Sequence, residues 1–277
     1  MSIWDSLENI RDVKKKQPTV LTIMGLQGVG KTMLGATFPN PVFIQVEAGT
    51  ETLEQEWRSV DNVYRWPKIR NSGELWAQLQ ALAYEPFPDD VSIKTVVIDT
   101  ITMLDAMFLR EMIEVNTKPN LAPPNLNTVL GGYGAGRKHL ESLHYTVREW
   151  CEVINQERGL HVVFLGHAEP ITVDLPDTPP FTKYSLSMEK ASARPYLNQV
   201  HLVGFLRLKT LVSGVVTDER SGKITQKGKG SSAGERVLVT YAHAAYDTKN
   251  RYGITQDLPV SMGENPLYDY IPSLKQA

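Results

Sequence analysis

Gly25-Leu-Gln-Gly-Val-Gly-Lys31-Thr32 fills every fixed position of the pattern G-x-x-x-x-G-K-[ST] and directly follows a β-prone apolar run, Thr19 to Met24. A strand entering a glycine-rich turn that opens a helix, expected from near Gly30, is the start of an α/β domain. Glycines let backbone N–H groups curl around phosphate oxygens, and a helix start turns its positive end to the same anion. Gly25, Gln27, Gly28, Val29, Gly30, Lys31, Thr32 and Met33 are therefore the candidate phosphate-binding residues. Lys31 is expected to reach the β- and γ-phosphates of a nucleotide, and Thr32 to place its hydroxyl on Mg²⁺.

Such a loop needs a carboxylate for the metal, at the end of a strand expected next to the loop. Lys94-Thr-Val-Val-Ile-Asp99 supplies it, since four β-prone residues carry Asp99 to the C-terminal edge of a sheet, where open α/β folds keep their ligands. Thr100, not Glu, follows Asp99, so an activating carboxylate has to come from elsewhere. Val42-Phe-Ile-Gln-Val-Glu47 ends a second strand with one, placed to polarise a water in front of the γ-phosphate. Glu47 can also be read as an N-terminal charge for a helix near Thr50, a role that Glu51, Glu54 and Glu56 already fill.

Outward from these motifs, His161 to Leu165 is a further buried-strand candidate. Ser72 to Ala83, Met103 to Val115 and Lys138 to Glu157 carry apolar residues at helical spacing. Repeated βα units predict a mostly parallel sheet flanked by helices. After about residue 200 strand follows strand (Val200 to Leu208, Leu211 to Thr217, Glu235 to Tyr241), an antiparallel extension of the same sheet joined by Arg220 to Gly234. Residues 18–277 read as one core. Residues 1–17 read as an N-terminal helix with Ile3, Trp4, Leu7 and Ile10 on one face, docked on its own core or reaching a neighbouring subunit. Asn116 to Gly136 and Glu169 to Pro195 are too rich in proline and glycine to assign and read as long functional loops.

The 277 residues carry 29 Lys plus Arg against 31 Asp plus Glu, a net charge of −2 that excludes indiscriminate nucleic-acid binding by the whole surface. The balance is uneven. Lys183 to Arg251 holds 12 basic and 5 acidic residues, +7, leaving −9 on the rest. A single cysteine, Cys151, excludes an internal disulfide and a multi-cysteine zinc site. No apolar stretch approaches the roughly 18 residues of a spanning helix, so a cytoplasmic protein is expected.

The order of Walker A loop, Glu47, Val-Val-Ile-Asp99-Thr, the glycine stretch Gly131 to Arg137 before a long helix, and Val-Val-Phe-Leu-Gly-His167 resembles the RecA-type core. More narrowly, the chain is similar to the phage RecA-like ATPases of the Sak single-strand annealing group. The resemblance implies an ATP- and Mg²⁺-dependent ATPase acting on single-stranded DNA in recombination or annealing, in the host cytoplasm, with a single-strand binding protein as an expected partner. It gives His167 the place of a γ-phosphate sensor, where RecA has glutamine, with a structural strand-end histidine as the alternative. It makes Lys249 and Arg251, spaced K-x-R, cations that reach a neighbour's γ-phosphate in a ring or filament of like chains, against a solvated edge strand as the plain reading. The two unassigned segments take the places of the DNA loops, with Tyr133, Arg137 and Lys138 in the first and Lys183, Lys190 and Arg194 in the second. Tyr184 accompanies the second set, and the Gly222 to Lys229 turn either adds phosphate contacts or is a solvated loop. A ring-forming helicase-type motor and a nucleotide-gated interaction module remain the other readings. Adenine over guanine follows only from the lack of an Asn-Lys-x-Asp motif.

Overall fold

A computed structural model describes residues 17–48, 50, 53, 62–213, 216–217, 224–226 and 229–276. The expected N-terminal helix, the helix charges Glu51, Glu54 and Glu56, and half of the Gly222 to Lys229 turn lie outside the described residues.

The strands form where β-branched and aromatic residues run together. They are β1 (Val20–Gly25), β2 (Pro41–Gln45), β3 (Tyr64–Arg65), β4 (Thr95–Asp99), β5 (His161–Leu175), β6 (Thr178–Leu186), β7 (Leu202–Ser213), β8 (Val216–Thr217), β9 (Ile224–Gln226), β10 (Lys229–Val239), β11 (Lys249–Asn250) and β12 (Leu258–Val260). The helices are α1 (Lys31–Ala36), α2 (Ser72–Tyr84), α3 (Ile101–Asn116), α4 (Ala135–Glu157) and α5 (Lys190–Asn198). Asn71 caps α2 by accepting from the Glu74 amide, and Thr100 caps α3 through Met103.

Ten strands make one sheet in the order β12-β10-β7-β1-β5-β4-β2-β3, with β11 on β7 and β6 on β5. The run from β7 to β3 is parallel, and β6, β10, β11 and β12 pair antiparallel. Alternation sorts each parallel strand onto two faces. Val20, Met24, Val96, Ile98, Val162 and Phe164 pack under α2 to α5, while Leu21, Ile23, Val97, Val163 and Leu165 pack under α1 and the C-terminal segment. That segment buries Ile254, Leu258, Leu267, Ile271 and Leu274.

Three expectations fail. The Asp99 strand is not beside the loop strand: β5 lies between β1 and β4, pairing Gly25 with His167 on one side and Asp99 with Leu165 on the other. Glu169 to Pro195 is not a loop. Beyond Ala168, β5 leaves the sheet and continues with β6 as a two-stranded ribbon, followed by α5 with Pro195 inside it. Pro176, Pro179 and Pro180 sit at the ribbon's exposed end and Pro195 in the helix, while Pro170 stands near the ribbon's base opposite Tyr184, whose amide donates to the Ala245 carbonyl instead; together they conceal the strands from a propensity reading. Lastly, Leu208 and Leu211 belong to one continuous strand, β7, because pairing with β10 spans both.

Candidate functional site

Three strand ends converge at the C-terminal edge of the parallel sheet. β1 delivers the glycine loop, β4 delivers Asp99, and β5, set between them, delivers His167. β2 adds Glu47 just past its end, where the Val46 and Glu47 amides donate to the Asp99 carbonyl at 2.8 and 3.3 Å. Gln27, Gly28, Gly30, Lys31, Thr32, Met33, Glu47, Asp99 and His167 line one cavity of about 410 Å³. The elements thus bring the phosphate loop and all three expected polar partners together.

The Thr32 hydroxyl donates to Asp99 Oδ2 at 2.7 Å, and Asp99 Oδ1 is buried with no protein donor. Burial raises the Asp99 carboxyl to about 6, partly opposed by the Thr32 hydrogen bond. A buried carboxylate oxygen without a donor, one hydrogen bond from a hydroxyl, fits a cation completed by phosphate oxygens and water. No cluster of three or more His, Cys, Asp or Glu that could hold a metal without a nucleotide occurs among the described residues.

Lys31 is buried, and its ammonium donates to the Gly25 carbonyl (3.1 Å), the Leu26 carbonyl (3.0 Å) and His167 Nδ1 (3.3 Å). All three of its N–H groups are engaged, so reaching a nucleotide phosphate means exchanging these acceptors for phosphate oxygens. Because Nδ1 of His167 accepts from an ammonium, its Nε2 carries the hydrogen and donates to Glu47 Oε1 at 3.0 Å. The hydrogen bond from His167 holds the Glu47 carboxyl below the usual range, so it is ionised at neutral pH. Burial draws Lys31 downward, opposed by Asp99 and Glu47.

Arg236, from β10, also lines this cavity, and sequence reasoning missed it. Its Nε donates to the Val29 carbonyl at 2.9 Å across 207 positions of chain. Nothing local marks one arginine in a strand that carries neighbouring charges; only the register of β10 against β7 and β12, opposite Leu208 and Val260, places it there.

The remaining candidates lie elsewhere. Lys249 and Asn250 pair with Val203 and Leu202 at the beginning of β7, on the sheet edge opposite the glycine loop. Lys249 Nζ donates to the Asn198 carbonyl at 2.6 Å. Strand β11 ends at Asn250, and the Arg251 amide donates to the His201 carbonyl at 3.2 Å, the next position of the same antiparallel pairing. Of the six nucleic-acid candidates only Tyr133 is in a loop, and it is fully exposed. Arg137 and Lys138 sit in the first turn of α4, Lys183 on β6, and Lys190 and Arg194 on α5. Arg137 pairs with Glu189 (3.3 Å), Lys183 with Asp247 (2.7 Å) and Arg194 with Glu141 (3.3 Å), whereas Lys138 and Lys190 are exposed. Tyr184 is half-buried and packs on Phe205 and Tyr246.

A family model described as an AAA domain matches residues 17–252, which hold the loop, both carboxylates and His167. The chain belongs to the AAA domain family. No curated protein matches it. Family membership carries the P-loop NTPase fold seen in the sheet, nucleotide binding and ATP hydrolysis as the general activity, and Mg²⁺ as the nucleotide's usual companion. In this AAA domain the residue after Asp99 is Thr100, and the second carboxylate reaches the cavity from β2 instead. No helix among the described residues is long and apolar enough to cross a membrane.

Proposed function

We propose that this AAA domain hydrolyses ATP with Glu47 as the base and acts on single-stranded DNA in phage recombination or annealing. The observation that carries the hydrolytic part is the Lys31–His167–Glu47 hydrogen-bond chain beside the Thr32–Asp99 pair, in one cavity. Thr32 and Asp99 would hold Mg²⁺, which supplies charge neutralisation of the phosphates when bound. Lys31 takes the β- and γ-phosphate oxygens. Glu47 orients a water and accepts its proton as the water oxygen bonds to the γ-phosphorus. The bond to the bridging oxygen breaks, leaving ADP and inorganic phosphate. His167, bonded to both Lys31 and Glu47, is placed to register loss of the γ-phosphate.

The DNA part is supported by the resemblance to the Sak annealing group, by the ribbon that continues straight on from His167, and by exposed Tyr133, Lys138 and Lys190. Lys249 and Arg251, far from their own cavity, suit a contact to a neighbouring copy rather than to their own nucleotide. The pairing of Arg137, Lys183 and Arg194 with carboxylates favours a second reading, a nucleotide-gated interaction module.

ATPase rate with and without single-stranded DNA, with particle mass measured in a non-hydrolysable ATP analogue, tests these readings. Lys31→Ala should abolish ATP binding. Glu47→Gln should bind ATP normally and turn over about 10²-fold or more slowly; a fully active Glu47→Gln would remove the base. DNA stimulation with a steep salt dependence is expected, and a rate indifferent to every nucleic acid would select the interaction module. Mixing Lys31→Ala with Arg251→Ala should recover part of the activity if the site is shared. Mixed oligomers that show no recovery at any ratio would argue against it.

A further inference from the structure

We propose that Arg236 binds the nucleotide in cis, at the end of its phosphates that leads to the sugar and base, while its Nε pins the phosphate loop; this rests on the nucleotide reading of the cavity. The order of strands fixes the direction. Glu47, Asp99 and His167 come from β2, β4 and β5, all on one side of β1, so the reacting γ-phosphate belongs on that side. β10 lies on the other side, beyond β7. A nucleotide with its γ-phosphate at the carboxylates therefore extends toward Arg236.

The guanidinium rests directly against the loop. Gly30, at φ 98°, comes so near that a Cβ there would stand 2.9 Å from Arg236 Nε. Any other residue at position 30 would both strain the backbone and displace the arginine. With Nε committed to the Val29 carbonyl, the two terminal nitrogens have no protein partner among the described residues, and Arg236 borders the cavity that holds Lys31 and Thr32. A planar fork with one N–H anchored and the others free is preorganised to donate to a phosphate, which the single ammonium of lysine is not. Arg236 also packs beside Met33, Val260 and Met262 at a crevice of only about 10 Å³, which buttresses the arginine from behind but is too small to take a base.

The test is titration of the full-length protein with fluorescent ATP and ADP analogues over a range of salt, for wild type, Arg236→Gln and Arg236→Lys, with melting curves confirming that each variant is folded. Arg236→Gln should weaken ATP and ADP alike by about tenfold or more, because the contact is remote from the γ-phosphate, and should flatten the salt dependence. Arg236→Lys, which restores the charge without the fixed fork that spans the Val29 carbonyl and a phosphate, should regain part of the loss. Unchanged binding in Arg236→Gln, a loss confined to ATP, or an Arg236→Lys as weak as Arg236→Gln would each overturn the contact. Wild type that binds neither nucleotide would instead overturn the nucleotide reading, and this assignment with it.

Discussion

Asp99 shows most directly what a nucleotide site costs its own fold. Its carboxyl is 1% exposed and lies near 6, against an ordinary 3.8, chiefly through burial. The folded state therefore binds a proton more tightly than the unfolded chain. The resulting stability is fully present below about pH 4 and is lost as pH rises through 6. By pH 8 the buried charge destabilises the protein by about 3 kcal/mol. Asp99→Asn keeps the acceptor for Thr32 and removes the charge. It should raise the melting temperature of the nucleotide-free protein at pH 8, do little at pH 4.5, and abolish Mg²⁺-dependent ATP binding. An Asn variant that melts lower at pH 8 would mean that Asp99 Oδ1 already has an unseen donor. In the wild type, Mg²⁺-dependent nucleotide binding should weaken as pH falls below 6 and Asp99 is neutralised, measurable by titration at pH 5 and 7.5. His161 runs the other way: burial lowers it to about 4, so it takes stability away as pH falls from 6.5 toward 4. Measured for the whole protein, the Asp99 and His161 contributions oppose each other in that window.

Among the elements, β5 does most to join site and surface. It carries His167 at the cavity, Gly166 one residue before it, and the ribbon after Ala168. A Cβ on Gly166 would stand 2.5 Å from Leu186 Cδ2, a buried side chain where β6 returns to the sheet. Gly166→Ala should cost about 1–3 kcal/mol by overpacking, a fall of several degrees in melting temperature, and should speed limited proteolysis of residues 169–183. A variant with wild-type melting and cleavage would show that the ribbon's base is loose enough to absorb a methyl group. The elements themselves were largely legible. Strands β1, β2 and β4 and helices α2, α3 and α4 fall within three residues of their expected ends, because β-branched runs and 3.6-residue periodicity act over a few residues. The ribbon was missed although Ile171-Thr-Val173-Asp-Leu175 alternates as a strand does, because Pro170, Pro176, Pro179 and Pro180 around it, tolerated where the ribbon meets solvent, read as loop.

At the scale of the whole molecule, the C-terminal segment is part of the core. Ile254, Leu258, Leu267, Ile271 and Leu274 are each 2% exposed or less and cover the sheet face opposite α2 to α5, and Tyr268 bonds the Thr37 carbonyl at the end of α1. At about 1.5–3 kcal/mol for each fully buried side chain, their combined burial matches the whole stability of an ordinary domain, about 5–15 kcal/mol. A chain ending at residue 252, the limit of the AAA match, should be insoluble or lack a cooperative melt by circular dichroism. A well-folded truncation would show that the first face alone sustains the sheet.

The phosphate loop, the Asp99 and Glu47 strand ends, His167 and the α/β class could all be read from the chain, because each is written within a few consecutive residues whose sterics and polarity act locally. That β5 stands between the loop strand and Asp99 emerged only from the folded sheet, which decided more than strand order. It also decided that Arg137, Lys183 and Arg194 are paired with acids, and that Arg236 reaches the loop. Those outcomes depend on partners many tens of positions apart, and strand order, which short-range forces leave open, chooses which of them meet.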